Sequence, residues 1–150
     1  MNMNESLQVV GKLRIVITDA QGQVKDDRQV NNTVMTVGKT FIASRMAGVA
    51  SNVMSHMAIG SGSTNPTDPA QTALATELGR VALGVAGGSP SANVVTYTGT
   101  FGAGVGTGSV TEAGIFNASS AGTMLCRVVF GVVTKGASDT MAITWTVTVN

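Results

Sequence analysis

The chain has 150 residues, 43% of them hydrophobic and only 11% charged, with nine Lys and Arg against eight Asp and Glu, one His and one Cys. That length fits one domain around a single core. A formal net charge of +1 excludes the clustered cations of a direct nucleic-acid binder, a single Cys excludes an internal disulfide framework, and no run of eighteen apolar residues exists to cross a membrane as a helix.

Residues 1–6 read as an N-terminal arm, with neither the basic nor the apolar region of a secretory leader. From Leu7 to Thr18 the pattern has period two: Leu7, Val9, Leu13, Ile15 and Ile17 fall on one face, Gln8, Lys12, Arg14 and Thr18 on the other. That is a half-buried strand. Asp19-Ala-Gln-Gly22 supplies a turn, and the charged stretch Val24 to Asn31 returns as an exposed or edge strand. Thr36 to Gly48 is the one helical segment, spanning about 37–47, with Thr36 as its cap, Val37, Phe41, Ile42 and Met46 on one broad face and Gly48 as its stop.

Met54 to Ile59 reads as a strand, followed by the loop Gly60-Ser-Gly-Ser-Thr-Asn-Pro-Thr-Asp-Pro69. Ala70 to Leu78 has weak helical character, Arg80 to Val85 reads as a strand, and Gly87 to Ala92 as a second loop. Four strands follow: Asn93 to Phe101, Ser109 to Phe116, Thr123 to Thr134 and Thr140 to Val149. The last places Met141, Ile143, Trp145, Val147 and Val149 on one side and Ala142, Thr144, Thr146 and Thr148 on the other. β-branched alternating strands, with no helix of crossover length between them, predict an all-β fold: an antiparallel sandwich or jelly-roll-like single domain over 1–150.

Between two of these strands lies Phe101-Gly-Ala-Gly-Val-Gly-Thr-Gly-Ser109, with glycine at 102, 104, 106 and 108. A dinucleotide fingerprint needs G-x-G-x-x-G opening a helix. From Gly102 the register ends on Thr107 and from Gly104 on Ser109, and a strand follows, so no phosphate cradle is formed. Gly38-Lys-Thr40 resembles the end of a P-loop, but no glycine stands five residues before Gly38. Gly102, Gly104, Gly106 and Gly108 are therefore structural, as a hairpin connection or as a face that admits another chain closely.

The residue set argues against an enzyme. His56 is the only histidine, G-x-S-x-G is absent, and the acids fall mostly in turns or exposed segments. No Cys and His cluster suits zinc, and Asp26-Asp27 is too poor in ligands for a calcium loop. No cofactor is expected. Cys126, inside Met124-Leu-Cys-Arg-Val-Val-Phe130, reads as a buried, inert thiol.

Met54-Ser-His-Met-Ala-Ile-Gly-Ser-Gly-Ser-Thr64, Thr76-Glu-Leu-Gly-Arg-Val-Ala-Leu83, Val110-Thr-Glu-Ala-Gly-Ile-Phe-Asn117 and Gly122 to Val149, with Lys135-Gly-Ala-Ser-Asp-Thr140 and Ile143-Thr-Trp145, carry a resemblance over nearly the whole chain. Together they resemble bacteriophage virion structural proteins, both capsid decoration or cement proteins and tail or fibre-associated proteins. The resemblance implies a virion location, assembly in the host cytoplasm and no catalytic residues. Absence of heptads favours the capsid surface over a fibre shaft. The expected partner is then the major capsid protein, or tail proteins in the alternative, and the chain is expected to form a homo-oligomer. Candidate partner contacts are Met1, Asn2, Met3 and Asn4 in the arm and Thr64, Asn65 and Pro66 in the long loop. Trp145 is read as structural.

Overall fold

Alternation puts an apolar stripe on the long central strands, and two sheets close those stripes against each other. The structure is a computed structural model that describes residues 5–150. Its strands are β1 (Val9–Thr18), β2 (Val24–Asn31), β3 (Thr33–Val34), β4 (His56–Gly60), β5 (Glu77–Ala82), β6 (Ser89–Ser91), β7 (Val94–Phe101), β8 (Gly108–Phe116), β9 (Met124–Lys135) and β10 (Thr140–Val149), with helix α1 (Thr36–Met46) between β3 and β4. The described residues form an all-β sandwich of two five-stranded antiparallel sheets, ordered β2-β1-β10-β7-β6 and β3-β9-β8-β4-β5.

Between the sheets, Leu13, Ile15 and Ile17 of β1 and Met141, Ile143 and Trp145 of β10 meet Met57 and Ile59 of β4, Ile115 of β8 and Val128 of β9 in one core. Trp145 is fully buried. Its indole Nε1 donates to Asn32 Oδ1 at 2.8 Å, and the Asn32 side chain fills the space where a side chain on Gly11 would stand. The Asn32 amide nitrogen is buried without a hydrogen-bond partner. Beside it the Cys126 thiol, also fully buried, is pushed up to about 12 by burial, against a smaller opposing effect of Asn32. The thiol is inert at neutral pH for that reason.

Several expected elements differ. Leu7 is left out of β1 and is 67% exposed. Met35, not Thr36, precedes the helix, in extended conformation and without a side-chain cap; the Thr36 N–H is satisfied by the Pro69 carbonyl at 2.8 Å instead. Ala70 to Leu78 forms no helix, because the N–H groups of Ala75 and Thr76 donate to Glu112 rather than back along the chain. The second loop contains a short strand, β6, whose Pro90 sits at a sheet edge, where a missing N–H is tolerated.

The glycine segment is not a hairpin. β7 pairs with β10 and β6, whereas β8 pairs with β4 and β9, so residues 102–107 carry the chain from one sheet to the other. Residues 136–139 make another crossing, from β9 to β10, beside it. Gly104 N–H donates to the Ala137 carbonyl at 2.8 Å, and the buried Lys135 ammonium donates to the Gly102 carbonyl at 2.8 Å. Asp139 accepts from Gly136 N–H at 2.7 Å and from Lys25 Nζ at 2.7 Å. The glycines are not equivalent. Gly104 and Gly106 both have positive φ, 79° and 65°, but a Cβ at 104 meets nothing, whereas one at 106 meets Ile59 Cδ1 at 2.5 Å.

Two outcomes follow from this end of the sandwich. Gly104→Ala is expected to cost about 1–2 kcal/mol through its backbone angle alone, and Gly106→Ala distinctly more because Ile59 must also move; chemical denaturation midpoints of the two variants measure the difference. Asp139 is held below the ordinary carboxylate range, first by the hydrogen bond from Lys25 and then by that from Gly136. Its folded pKa lies below its unfolded value of about 3.9, so its contribution is complete above that pH and is lost as the pH falls through the folded pKa. Urea midpoints measured down to acid pH are expected to show this loss in the native chain and not in Asp139→Asn.

Candidate functional site

On its outer face, the second sheet carries a charged pair that the apolar character of its strands does not announce. β8 and β9 run side by side with Gly114 opposite Arg127 and Glu112 opposite Val129. Glu112 and Arg127 both point away from the main core, yet their side chains are 0% and 2% exposed. What covers them is the long excursion from β4 to β5, residues 61–76, which leaves at Gly60 and returns at its ladder partner Glu77.

Glu112 accepts five hydrogen bonds. Oε1 takes Gly62 N–H at 3.1 Å and Thr76 N–H at 2.8 Å; Oε2 takes Ala75 N–H at 3.0 Å, Arg127 Nε at 3.1 Å and Arg127 Nη2 at 2.9 Å. Arg127 then reaches outward, Nη1 to the Asn65 carbonyl at 3.1 Å and Nη2 to the Thr64 carbonyl at 3.0 Å. Main chain from both limbs of the loop is thus fastened to one ion pair. A side chain at Gly62 would strike Glu112 Oε1 at 2.6 Å, so the close approach depends on glycine there. Thr111 Oγ1 adds a bond to the Gly62 carbonyl at 2.9 Å.

A small apolar cluster seals the remainder: Met35, Ala58, Leu74, Phe116 and Met124, with Leu74 supplied by the loop. Satellite clusters of this kind form under long loops. Arg80 of β5 stacks 3.9 Å from the Phe116 ring centroid, pairs with Glu77, and donates to the Ala118 and Ala121 carbonyls of the next turn.

Thr64, Asn65 and Pro66, the loop residues singled out from sequence, are exposed on top of this clamp. Thr64 and Asn65 are brought together by Arg127, and Asn65 holds a positive φ of 49°. Met1, Asn2, Met3 and Asn4 lie outside the described residues. Most acids do sit in turns or exposed segments, as expected; Glu112, buried within β8, is the exception. Its signal was present: Glu112 in Val110-Thr-Glu-Ala-Gly-Ile-Phe116 and Arg127 in Met124-Leu-Cys-Arg-Val-Val-Phe130 are opposite charges embedded in apolar strands, a pattern that only mutual pairing makes tolerable.

Chemically the arrangement is a fixed scaffold. Every lone-pair direction of the carboxylate is taken, and no cluster of three metal-ligating side chains occurs among the described residues. His56 shares a 2.8 Å hydrogen bond with the Ser55 hydroxyl, and neither of them hydrogen-bonds an acid. No protein-family model, curated protein or solved structure matches the chain.

Glu112→Gln replaces an acceptor with a donor facing Ala75 N–H or Arg127, and leaves a buried guanidinium without its counter-charge. A loss of about 3–5 kcal/mol is expected, with protease cleavage within 63–70 appearing before global unfolding. Thermal unfolding and limited proteolysis read the two effects separately.

Proposed function

We propose that this chain is a bacteriophage virion structural protein, a capsid decoration or cement protein that bridges coat subunits and acts as a homo-oligomer. The observation that carries the proposal is the clamped loop: a long, polar, exposed segment held by a wholly buried ion pair presents a preformed surface. A preformed surface loses little ordering entropy on docking, which leaves more of its contact energy for affinity. Low charge supports the same reading. Five ion pairs absorb ten charged side chains among the described residues, and charge-depleted surfaces suit the centres of stable interfaces.

Stabilisation would work by mass action. A protein that binds the assembled shell and not its dispersed subunits stabilises the shell by about 2.7 kcal/mol per site at one hundred times Kd. Engagement of several coat subunits at once multiplies the effect.

Shells carrying the protein are expected to retain DNA to higher temperature than shells lacking it; equal release temperatures reject the stabilising role. Copy number separates this reading from a tail or fibre-associated one, since a shell component is present at a copy for each repeated coat position and a tail component at far fewer.

A further inference from the structure

We propose that the start of β1 is a strand-docking groove for an extended acidic segment of a partner protein. The proposal does not depend on a capsid location. Gln8 and Asn150 exchange both main-chain hydrogen bonds, at 2.8 and 2.7 Å. Because bonding sides alternate along an antiparallel strand, Val9 turns its N–H and C=O the other way, toward the side where β2 runs. But β2 ends at Asn31, opposite Lys12. After one bond from Asn32 N–H to the Gly11 carbonyl at 3.1 Å, the chain leaves for the other sheet. Among the described residues the main chain at Val9 is left as an unpaired template.

Several other edges are blocked in recognisable ways. β2 carries Lys25, Asp26, Asp27 and Arg28. β9 bulges between Val129 and Val133, and Arg28 Nη1 occupies the Gly131 carbonyl at 2.9 Å. β6 contains Pro90, and β5 carries the Glu77–Arg80 pair. The run from Leu7 to Gly11 has no proline, bulge or charge, and Leu7 and Val10 are 67% and 45% exposed.

Two adjoining concavities, about 440 and 360 Å³, share Val9 and Val10. Lys12 and Asn31 border the first and Lys39 of α1 the second. Neither lysine belongs to an ion pair among the described residues, and Glu5, the acid nearest in the chain, pairs with neither. An added strand would gain main-chain bonds from Val9, apolar contact from Leu7 and Val10, and two cations at its flanks. That combination selects alternating apolar and acidic side chains.

The probe is a blocked seven-residue peptide alternating valine with glutamate, titrated into isotope-labelled full-length protein and followed by amide chemical shifts. Saturable shifts centred on Val9, Gly11 and Asn32 are expected, weakened about tenfold in the double variant Lys12→Glu, Lys39→Glu. Both lysines are exposed, so an unchanged spectrum away from the groove verifies folding. Equal binding of the valine and lysine peptide, equal shifts with acetate alone, or concentration-dependent shifts at the same residues without peptide would each overturn the proposal. The last of these would assign the groove to a second copy of the chain. Absence of any response to the glutamate peptide at Val9 to Lys12 overturns it as well.

Discussion

The outer surface of the second sheet depends on the carboxylate of Glu112. A loop that runs over a sheet face has many N–H groups and few ladder partners, and each one left buried and unpaired costs free energy comparable to a lost hydrogen bond. Glu112 takes three of those N–H groups, and its partner Arg127 takes two carbonyls of the same loop. The pair would be costly in isolation, since both charges leave water. Here each charge completes the other and the backbone completes both. Leu74 can then be buried with Phe116 and Met124 because the limb that carries it is already fixed.

The same logic appears at the top of the sandwich. Crossings between sheets interrupt ladder bonding, and the β7–β8 and β9–β10 crossings restore it by bonding to each other through Gly104 and Ala137 and through Lys135 and Gly102. Burial pushes the Lys135 ammonium below its ordinary range, and Asp139 opposes that shift. Glycine is needed for two separate reasons: backbone angle at Gly104, and angle together with contact at Gly106, whose main chain also lies against Gly79. Alternation of glycine along 102–108 therefore does not mark one face of a strand. It marks a segment that bends repeatedly while passing close to its neighbours.

Strands with one wet and one dry face were legible in the sequence because burial itself has period two. β1 and β10 are the clear cases, pairing along their full length from Val9 opposite Val149 to Thr18 opposite Thr140. β8 and β9 were legible as strands but not as strands buried on both sides, since their outer face is covered by a loop whose path no local pattern encodes. Connectivity was less legible still. A glycine-rich link after Phe101 has the same composition whether it returns to the same sheet or crosses to the other, and only the pairing of β7 with β10 and of β8 with β9 decides. The helix starts one residue earlier than expected, after Met35, whose side chain does not cap it, and the Thr36 N–H at that start goes to a tertiary acceptor, the Pro69 carbonyl.

Charge placement ties these features together. The five ion pairs divide by what they hold: Glu112–Arg127 and Glu77–Arg80 fasten loops over the second sheet, Lys25–Asp139 ties the β9–β10 crossing to β2, and Arg14–Asp27 and Arg28–Asp26 line the β2 edge. The exposed pairs among them contribute little to stability individually. Their larger effect is on recognition, because a charged edge rejects an incoming strand whose own charges it cannot match. A sandwich has several edges where its sheets end, and this one guards β2, β5, β6 and β9 with charge, proline or a bulge, but not the stretch where β1 outruns β2. On the proposed reading, the stretch around Val9 offers main chain but no charge of its own, so selectivity there comes from the lysines that border it, Lys12 and Lys39.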